Sequence, residues 1–326
     1  FQKLSKHEMS YRNGDHKLGL WKDHEIYNAY PSLSSFYSDY EKNWEMDKGM
    51  EQIKKMAKGP LFVICFLYLL MCYIGPKIMK SRKPYNLNKA LFVWNSTLAV
   101  FSTVGALRTV PHLFRIIYLY GFKYSLVAPG SDWLGGGAIG LWIQLFIFSK
   151  IPELGDTVFI ILRKRPLIFL HWYHHVTVLL YCWHSYVNEE AYGVLFAAMN
   201  YTVHAVMYLY YALATMKIRL CKPYYITFLQ ISQMFIGIGV CCACWIYFGQ
   251  EKNSDEHKKN LWAGIVMYAS YAFLFLKYAI HRFIKNFFKS NQKGEKAVEI
   301  QNAGKKVDEC YLIKKSETFS NGMDYS

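Results

Sequence analysis

Acidic residues are scarce in this sequence: 23 Asp and Glu stand against 38 Lys and Arg, for a formal net charge of +15. Such a balance can mark a nucleic-acid binder. Here the bases form no single recognition face, and many fall in short turns between apolar runs, the footprint of membrane topology. Nucleic acid is therefore not an expected partner. Cysteine is present eight times without a metal or disulfide pattern. Cys65, Cys72, Cys182, Cys241, Cys242 and Cys244 lie inside apolar runs, where cysteine serves as a small packing residue. There is no repeat of propeller or solenoid period. From Phe1 onward no cleavable signal peptide is visible, so the first apolar run is expected to direct membrane targeting.

What is abundant is apolar surface, and it comes in blocks. The 326 residues are 53% hydrophobic and 18% aromatic, yet mean hydropathy is only +0.05. Polar ends dilute a greasy middle. The expected organisation is a polar N-terminal tail (1–58), a membrane domain (59–285) and a basic, disordered C-terminal tail (286–326). A helix needs about 20 mostly apolar residues to cross the hydrocarbon core. Seven segments qualify, at roughly 59–79, 88–110, 136–162, 166–186, 192–215, 224–248 and 261–284. The fourth and fifth contain histidine and asparagine, which a plain hydropathy scan scores weakly.

Charges in the short connections orient these spans. Lys77, Lys80, Arg82, Lys83 and Lys89 flank the end of the first span; Arg163, Lys164 and Arg165 follow the third; Lys217, Arg219 and Lys222 follow the fifth; Arg282, Lys285 and Lys289 border the seventh. The opposite side mixes Arg108, Arg115 and Lys123 with Glu189, Glu190, Glu251, Asp255 and Glu256. The positive-inside rule puts the C-terminus in the cytosol and the N-terminus outside or in a lumen. Two glycosylation triplets, at Asn95 and Asn200, fall inside predicted spans and are not expected to carry sugar.

Polar side chains at membrane depth tend to face an interior and to do something there. Four clusters fit that description. Lys150, Glu153 and Asp156 recur every three residues around Pro152, and predict a mutually neutralised stripe on a bent helix. The competing reading is an ordinary surface ion pair at a cytosolic helix end, which apolar Val158 to Leu162 argue against. His171, His174 and His175 stand at i, i+3 and i+4, so three imidazoles share one side of a helix. Histidine can act as metal ligand, general base or nucleophile, and spacing alone does not choose. Asn200, His204, Tyr208 and Tyr211 make another stripe. Thr227, Gln230 and Gln233 make a fourth, for which polar glue between helices is an equal alternative.

These clusters, in this order, resemble the very-long-chain fatty-acid elongase family. The pieces that carry the resemblance are KIPELGDT (150–157), LHWYHH (170–175), MNYTVHAVMYLYY (199–211) and TFLQISQ (227–233). TLAVFSTVGALRT (97–109) and FIILRKRPLIFLHWYHHVTVLLY (159–181) look most like the branch of elongases six and three. The resemblance spans roughly residues 86–285. It implies an all-α fold of seven transmembrane helices, six of them ringing a closed acyl-chain tunnel, in the endoplasmic-reticulum membrane. It also implies a reaction: long-chain acyl-CoA condenses with malonyl-CoA to a 3-oxoacyl-CoA, releasing CoA and carbon dioxide. Saturated and monounsaturated chains are the expected substrates. His174 would form an acyl-imidazole, with His204 close to the reacting carbons. His171, His175, Asn200 and Asp156 would orient imidazoles or move protons. Lys150, Glu153, Tyr208, Tyr211, Gln230 and Gln233 are the expected substrate-binding residues, Lys150 acting with the cytosolic basic turns on the anionic CoA portion. No cofactor and no metal are expected. The partners implied are the two CoA thioesters, the bilayer, the other enzymes of the elongation cycle and a second copy of the chain. Relatives pair cysteines across the lumenal loops, but 111–135 and 249–260 contain none here, and the chain ends without a terminal dilysine signal.

Two other classes place polar residues in spans. A di-iron desaturase shares the His-x-x-His-His spacing but needs about eight histidines, and outside the box the membrane region offers only His112, His184, His204, His257 and His281, singly spaced. A seven-span receptor or transporter has no need of three imidazoles on one face beside a carboxylate stripe.

Overall fold

The computed structural model describes residues 21–128, 130, 135–218, 220–248 and 255–281. The expected tail at 286–326 and the 282–284 end of the last predicted span lie outside these. The described residues up to 275 form one compact unit, and 276–281 fall in a second. Among the described residues there is no strand beyond an isolated bridge between Glu45 and Gly136.

The main helices are α1 (Met46–Lys58), α2 (Pro60–Met79), α3 (Asn88–Val127), α4 (Gly137–Ser149), α5 (Gly155–Leu162), α6 (Phe169–Val187), α7 (Gly193–Thr215), α8 (Pro223–Phe248) and α9 (Asp255–His281). Four of them, α2, α3, α8 and α9, are long and apolar enough to cross a membrane. Their outward faces carry large bare side chains such as Phe62, Phe66, Phe228 and Phe273, which need a bilayer to cover them. The others fall short of that composition for local reasons. The predicted third span is interrupted by a 3₁₀ turn at Pro152–Leu154, as a proline that removes a backbone donor requires. α6 carries His171, His174, His175 and His184, and α7 carries Asn200, His204 and four tyrosines. α3 runs beyond the predicted end at 110. It passes through Pro111 and breaks only at Gly121, where φ is 85°, a region glycine enters freely.

Helix α7 is the hub. It lies along α3, and Gly105 of α3 makes the approach possible: a Cβ there would stand 2.4 Å from the Tyr201 ring. Tyr201, 2% exposed, donates its hydroxyl to the Trp142 carbonyl of α4 at 2.9 Å. One buried cluster gathers Leu179, Trp183, Val194 and Ala197 with α1, α2 and α4. A second gathers Tyr181, Tyr192, Cys241, Cys244 and Leu261 from α6 to α9. Cys241 and Cys244, in Cys-x-x-Cys spacing, are buried free thiols, and the other five described cysteines are free as well.

The segment expected as a tail is folded onto the helices from residue 21. Short turns at Trp21–His24, Ile26–Ala29, Pro31–Phe36 and Asp39–Lys42 lead into α1, which buries Met46, Met50 and Ile53. Glu25 accepts the Ile139 N–H at 3.0 Å and so places a carboxyl at the start of α4, where the helix dipole favours it. Gly137 has φ 68° and no room for a Cβ beside Glu25. Burial raises the Glu25 carboxyl to about 7, against backbone hydrogen bonds from Ile139 and Ala138. Glu41 behaves oppositely. Burial opposes its ionisation too, but hydrogen bonds from Arg108 Nε (2.8 Å), Trp142 Nε1 (2.8 Å) and the Ser38 N–H (2.8 Å), with the Arg108 charge, hold it at about 2.

Candidate active site

The break in the third predicted span builds the first half of the site. A 3₁₀ turn has three residues per turn, so positions i and i+3 eclipse. Lys150, at the end of α4, therefore meets Glu153, and its Nζ donates to Glu153 Oε1 at 2.7 Å. Both are buried, at 3% and 5% exposure. Ser149 Oγ donates to the same oxygen at 2.9 Å. Asp156 does not join them. It has moved onto α5 and accepts Trp94 Nε1 at 2.6 Å and Tyr208 OH at 2.8 Å. The expected single stripe is thus split into an ion pair and a separately satisfied carboxyl.

Lys150 also fixes the second half. An ammonium has donors only, so Asn200 must present Oδ1 to Lys150 Nζ, 3.1 Å away. That turns Asn200 Nδ2 toward His204 Nε2 at 3.1 Å, and His204 Nε2 must accept. A neutral His204 then carries its proton on Nδ1, which faces Glu153 Oε2 at 4.0 Å. Lys150, Asn200 and His204 thus form a chain of complementary donors and acceptors, with Glu153 bonded to Lys150 at its start.

The three imidazoles of α6 are differently placed. His171 Nε2 meets Thr157 Oγ1 at 2.9 Å, and Thr157 meets Tyr68 OH of α2 at 2.8 Å. His175 is 7% exposed, with its ring 4.5 Å from His171 and 6.4 Å from Tyr68. His174 packs its ring against Tyr271 of α9, 4.7 Å between centroids. Its Nδ1 is buried and has no hydrogen-bond partner. His174, Asn200 and Gln233 border one narrow cavity of about 50 Å³, whose walls there are Ile143, Phe146, Ile147 and Val178. That volume suits a few waters.

Of the remaining predicted residues, Tyr208 and Gln233 are buried, and Gln230 is half-buried with Nε2 on Met207 Sδ at 3.1 Å. Tyr211 departs from the stripe. It lies one turn from the end of α7, past the enclosing neighbours, and is 40% exposed. Sequence reasoning did not single out Tyr68, Trp94, Ser149 or Tyr271. The available signal was weak: a tyrosine or tryptophan in an apolar span needs a partner for its polar tip. Among the described residues no group of three or more His, Cys, Asp or Glu is arranged to hold a metal ion.

The helices and their enclosed polar groups define a multi-pass membrane protein with an imidazole-rich site beside an apolar cavity. The chain belongs to the ELO, or GNS1/SUR4, family, which it matches over residues 56–293. It is similar to human very long chain fatty acid elongase 6, with 40% identity over 250 residues, covering 76% of this chain and 92% of that protein. The elongase of the same name from Drosophila melanogaster is 41% identical over 67% of this chain and 70% of its own length. A putative fatty acid elongase 3 from Caenorhabditis elegans is 39% identical over 78% of this chain and 79% of its own.

Proposed function

We propose that this protein elongates fatty acids by condensing a long-chain acyl-CoA with malonyl-CoA. The observation that carries the reading is His174: an imidazole with an unpartnered buried nitrogen, opening on an apolar cavity that Asn200, the partner of His204, also lines. The relatives named as elongases supply the reaction class.

In the first half-reaction a ring nitrogen of His174 attacks the thioester carbonyl carbon. An N–C bond forms, the C–S bond breaks, and CoA leaves as its thiol once protonated. Acylating the enzyme splits a difficult condensation into two easier steps. In the second, malonyl-CoA loses carbon dioxide, and the carbanion left behind attacks the acyl-imidazole. A C–C bond forms, the N–C bond breaks, and 3-oxoacyl-CoA departs. His204, hydrogen-bonded by Asn200, would manage protons in this scheme; Thr157 and Tyr68 steady His171. Asp156 props Trp94 and Tyr208 around that centre.

The CoA portion is polyanionic, and an open cavity of about 760 Å³ bordered by Lys80, Lys164, Arg165 and Trp172 suits it in charge and in its aromatic wall. The seven helical segments are read as seven spans, six enclosing the acyl chain, with the N-terminus lumenal and the C-terminus cytosolic in the endoplasmic reticulum. The basic turns support that orientation. Association with the other enzymes of the cycle and with a second copy belongs to the same reading.

The test uses the full chain in microsomes with palmitoyl-CoA and labelled malonyl-CoA. Incorporation of two-carbon units above an empty-vector control is expected, and its absence rejects the reading. Purified His174→Ala should give no acyl adduct by intact mass; an adduct at wild-type level removes the nucleophile assignment.

A further inference from the structure

The open cavity at the basic turns has two kinds of wall. Lys80, Lys164 and Arg165 border it, and none of the described residues around it is acidic. The rest of the wall is largely apolar. Leu69, Cys72, Tyr73 and Pro76 stand at i, i+3, i+4 and i+7 of α2, so they form one strip along that helix. Ile161 of α5 closes on α2 at Gly75, where a Cβ would stand 3.0 Å from its side chain.

The strip has the length of one leaflet. α2 is 20 residues long and apolar enough to cross a membrane, and Leu69 lies at its middle. From there to Lys80, at 1.5 Å per residue, the helix rises about 17 Å, roughly half of a ~30 Å hydrocarbon core. The strip is also open on its side: Leu69 is 39% and Tyr73 65% exposed. The cavity therefore faces the bilayer as well as water. It shares no bordering residue with the cavity at His174, so a chain lying in it is not one poised for acyl transfer.

The cations stand at the end of the strip where a headgroup would be. Lys164 Nζ donates to the Lys80 and Arg82 carbonyls at 3.1 and 3.0 Å, which fixes the turn after α2. Lys77 Nζ lies 3.4 Å from the centre of the Tyr73 ring and adds a further positive charge beside the strip. Lys80 and Arg165 have no ion-pair partner among the described residues. Tyr73 and Trp172 supply the amphipathic rings that favour a membrane interface. Basic pockets between membrane helices suit phosphate headgroups.

We infer that this cleft takes an anionic phospholipid from the leaflet on the side of the basic turns, one chain along α2 and its phosphate at Lys80 and Arg165, in competition with CoA. The competition rests on the elongase reading, which places CoA at the same cations. Free CoA brings phosphates alone; the lipid brings a phosphate and a chain for the strip.

The experiment is native mass spectrometry of the full-length protein in detergent, with dipalmitoyl phosphatidate or dipalmitoyl phosphatidylcholine added at equal concentration. Phosphatidate should be retained, phosphatidylcholine much less. Arg165→Gln should lower phosphatidate retention about fivefold, the scale of one cation at a membrane surface. Leu69→Trp, which fills the strip and leaves the cations in place, should also lower it. CoA in excess should displace the lipid, whereas inorganic phosphate at the same concentration should not. Gel filtration verifies folding, and if Leu69→Trp is not monodisperse, Arg165→Gln decides with the two lipids. Equal retention of both lipids, retention unmoved in the folded variants, displacement by inorganic phosphate, or no displacement by CoA overturns the inference. The elongase reading falls separately, on absent two-carbon incorporation in microsomes.

Discussion

Lys150 and Glu153 are ions taken almost wholly out of water, and each offsets the other's desolvation across 2.7 Å. Removing one partner leaves the other uncompensated, whereas removing both with apolar side chains does not. Lys150→Met is therefore expected to destabilise the protein by about 3–5 kcal/mol. Lys150→Met with Glu153→Leu should recover most of that loss without recovering elongation, and thermal melts in detergent alongside activity check both. The sequence made this pair legible because spacing of three is visible in a string. Trp94 and Tyr68 were not legible as partners of Asp156 and Thr157. They lie 62 and 89 positions away, and no local period encodes a contact between distant helices.

At the level of elements, long apolar runs announced the helices, and Pro152 announced the bend. The run on past Pro111 was not announced, because a proline in a helix usually reads as its boundary. The α3–α7 contact depends on Gly105. Gly105→Ala would press a methyl into the Tyr201 ring and is expected to cost about 1–3 kcal/mol, read as a lowered melting midpoint. The start of α4 makes a prediction in pH. Glu25 has its carboxyl raised from 4.5 to about 7, so its neutral form is the one the fold prefers. Its contribution is complete below 4.5 and fades as pH rises through 7. Glu41, lowered to about 2, contributes fully above 4.5 and loses hold only as pH falls toward 2. Hydrogen exchange over residues 21–45, corrected for intrinsic rates, should quicken between about pH 4.5 and 7, and Glu25→Gln should abolish that change.

For the whole molecule, the least legible part was the N-terminal segment. Read alone, residues 21–58 are a polar string with scattered aromatics; their order comes from Arg108, Trp142 and Ile139, which lie far along the chain. These contacts tie the N-terminal segment to α3 and α4. The seven described cysteines are all free. Thiol reductants should accordingly leave the melting midpoint of the purified protein where it was, since no cross-link is there to open.

In the reaction proposed above, the narrowness of the cavity beside His174 bears on how substrate escapes waste. An acylated imidazole is open to attack by water as well as by the malonyl carbanion, and the two compete for the same carbon. A space of about 50 Å³ admits only a few water molecules, and a chain that fills it expels them. The split between lengthened product and discarded fatty acid is then governed by crowding around the bound chain, and any substitution that widens the cavity should raise hydrolysis before it lowers turnover.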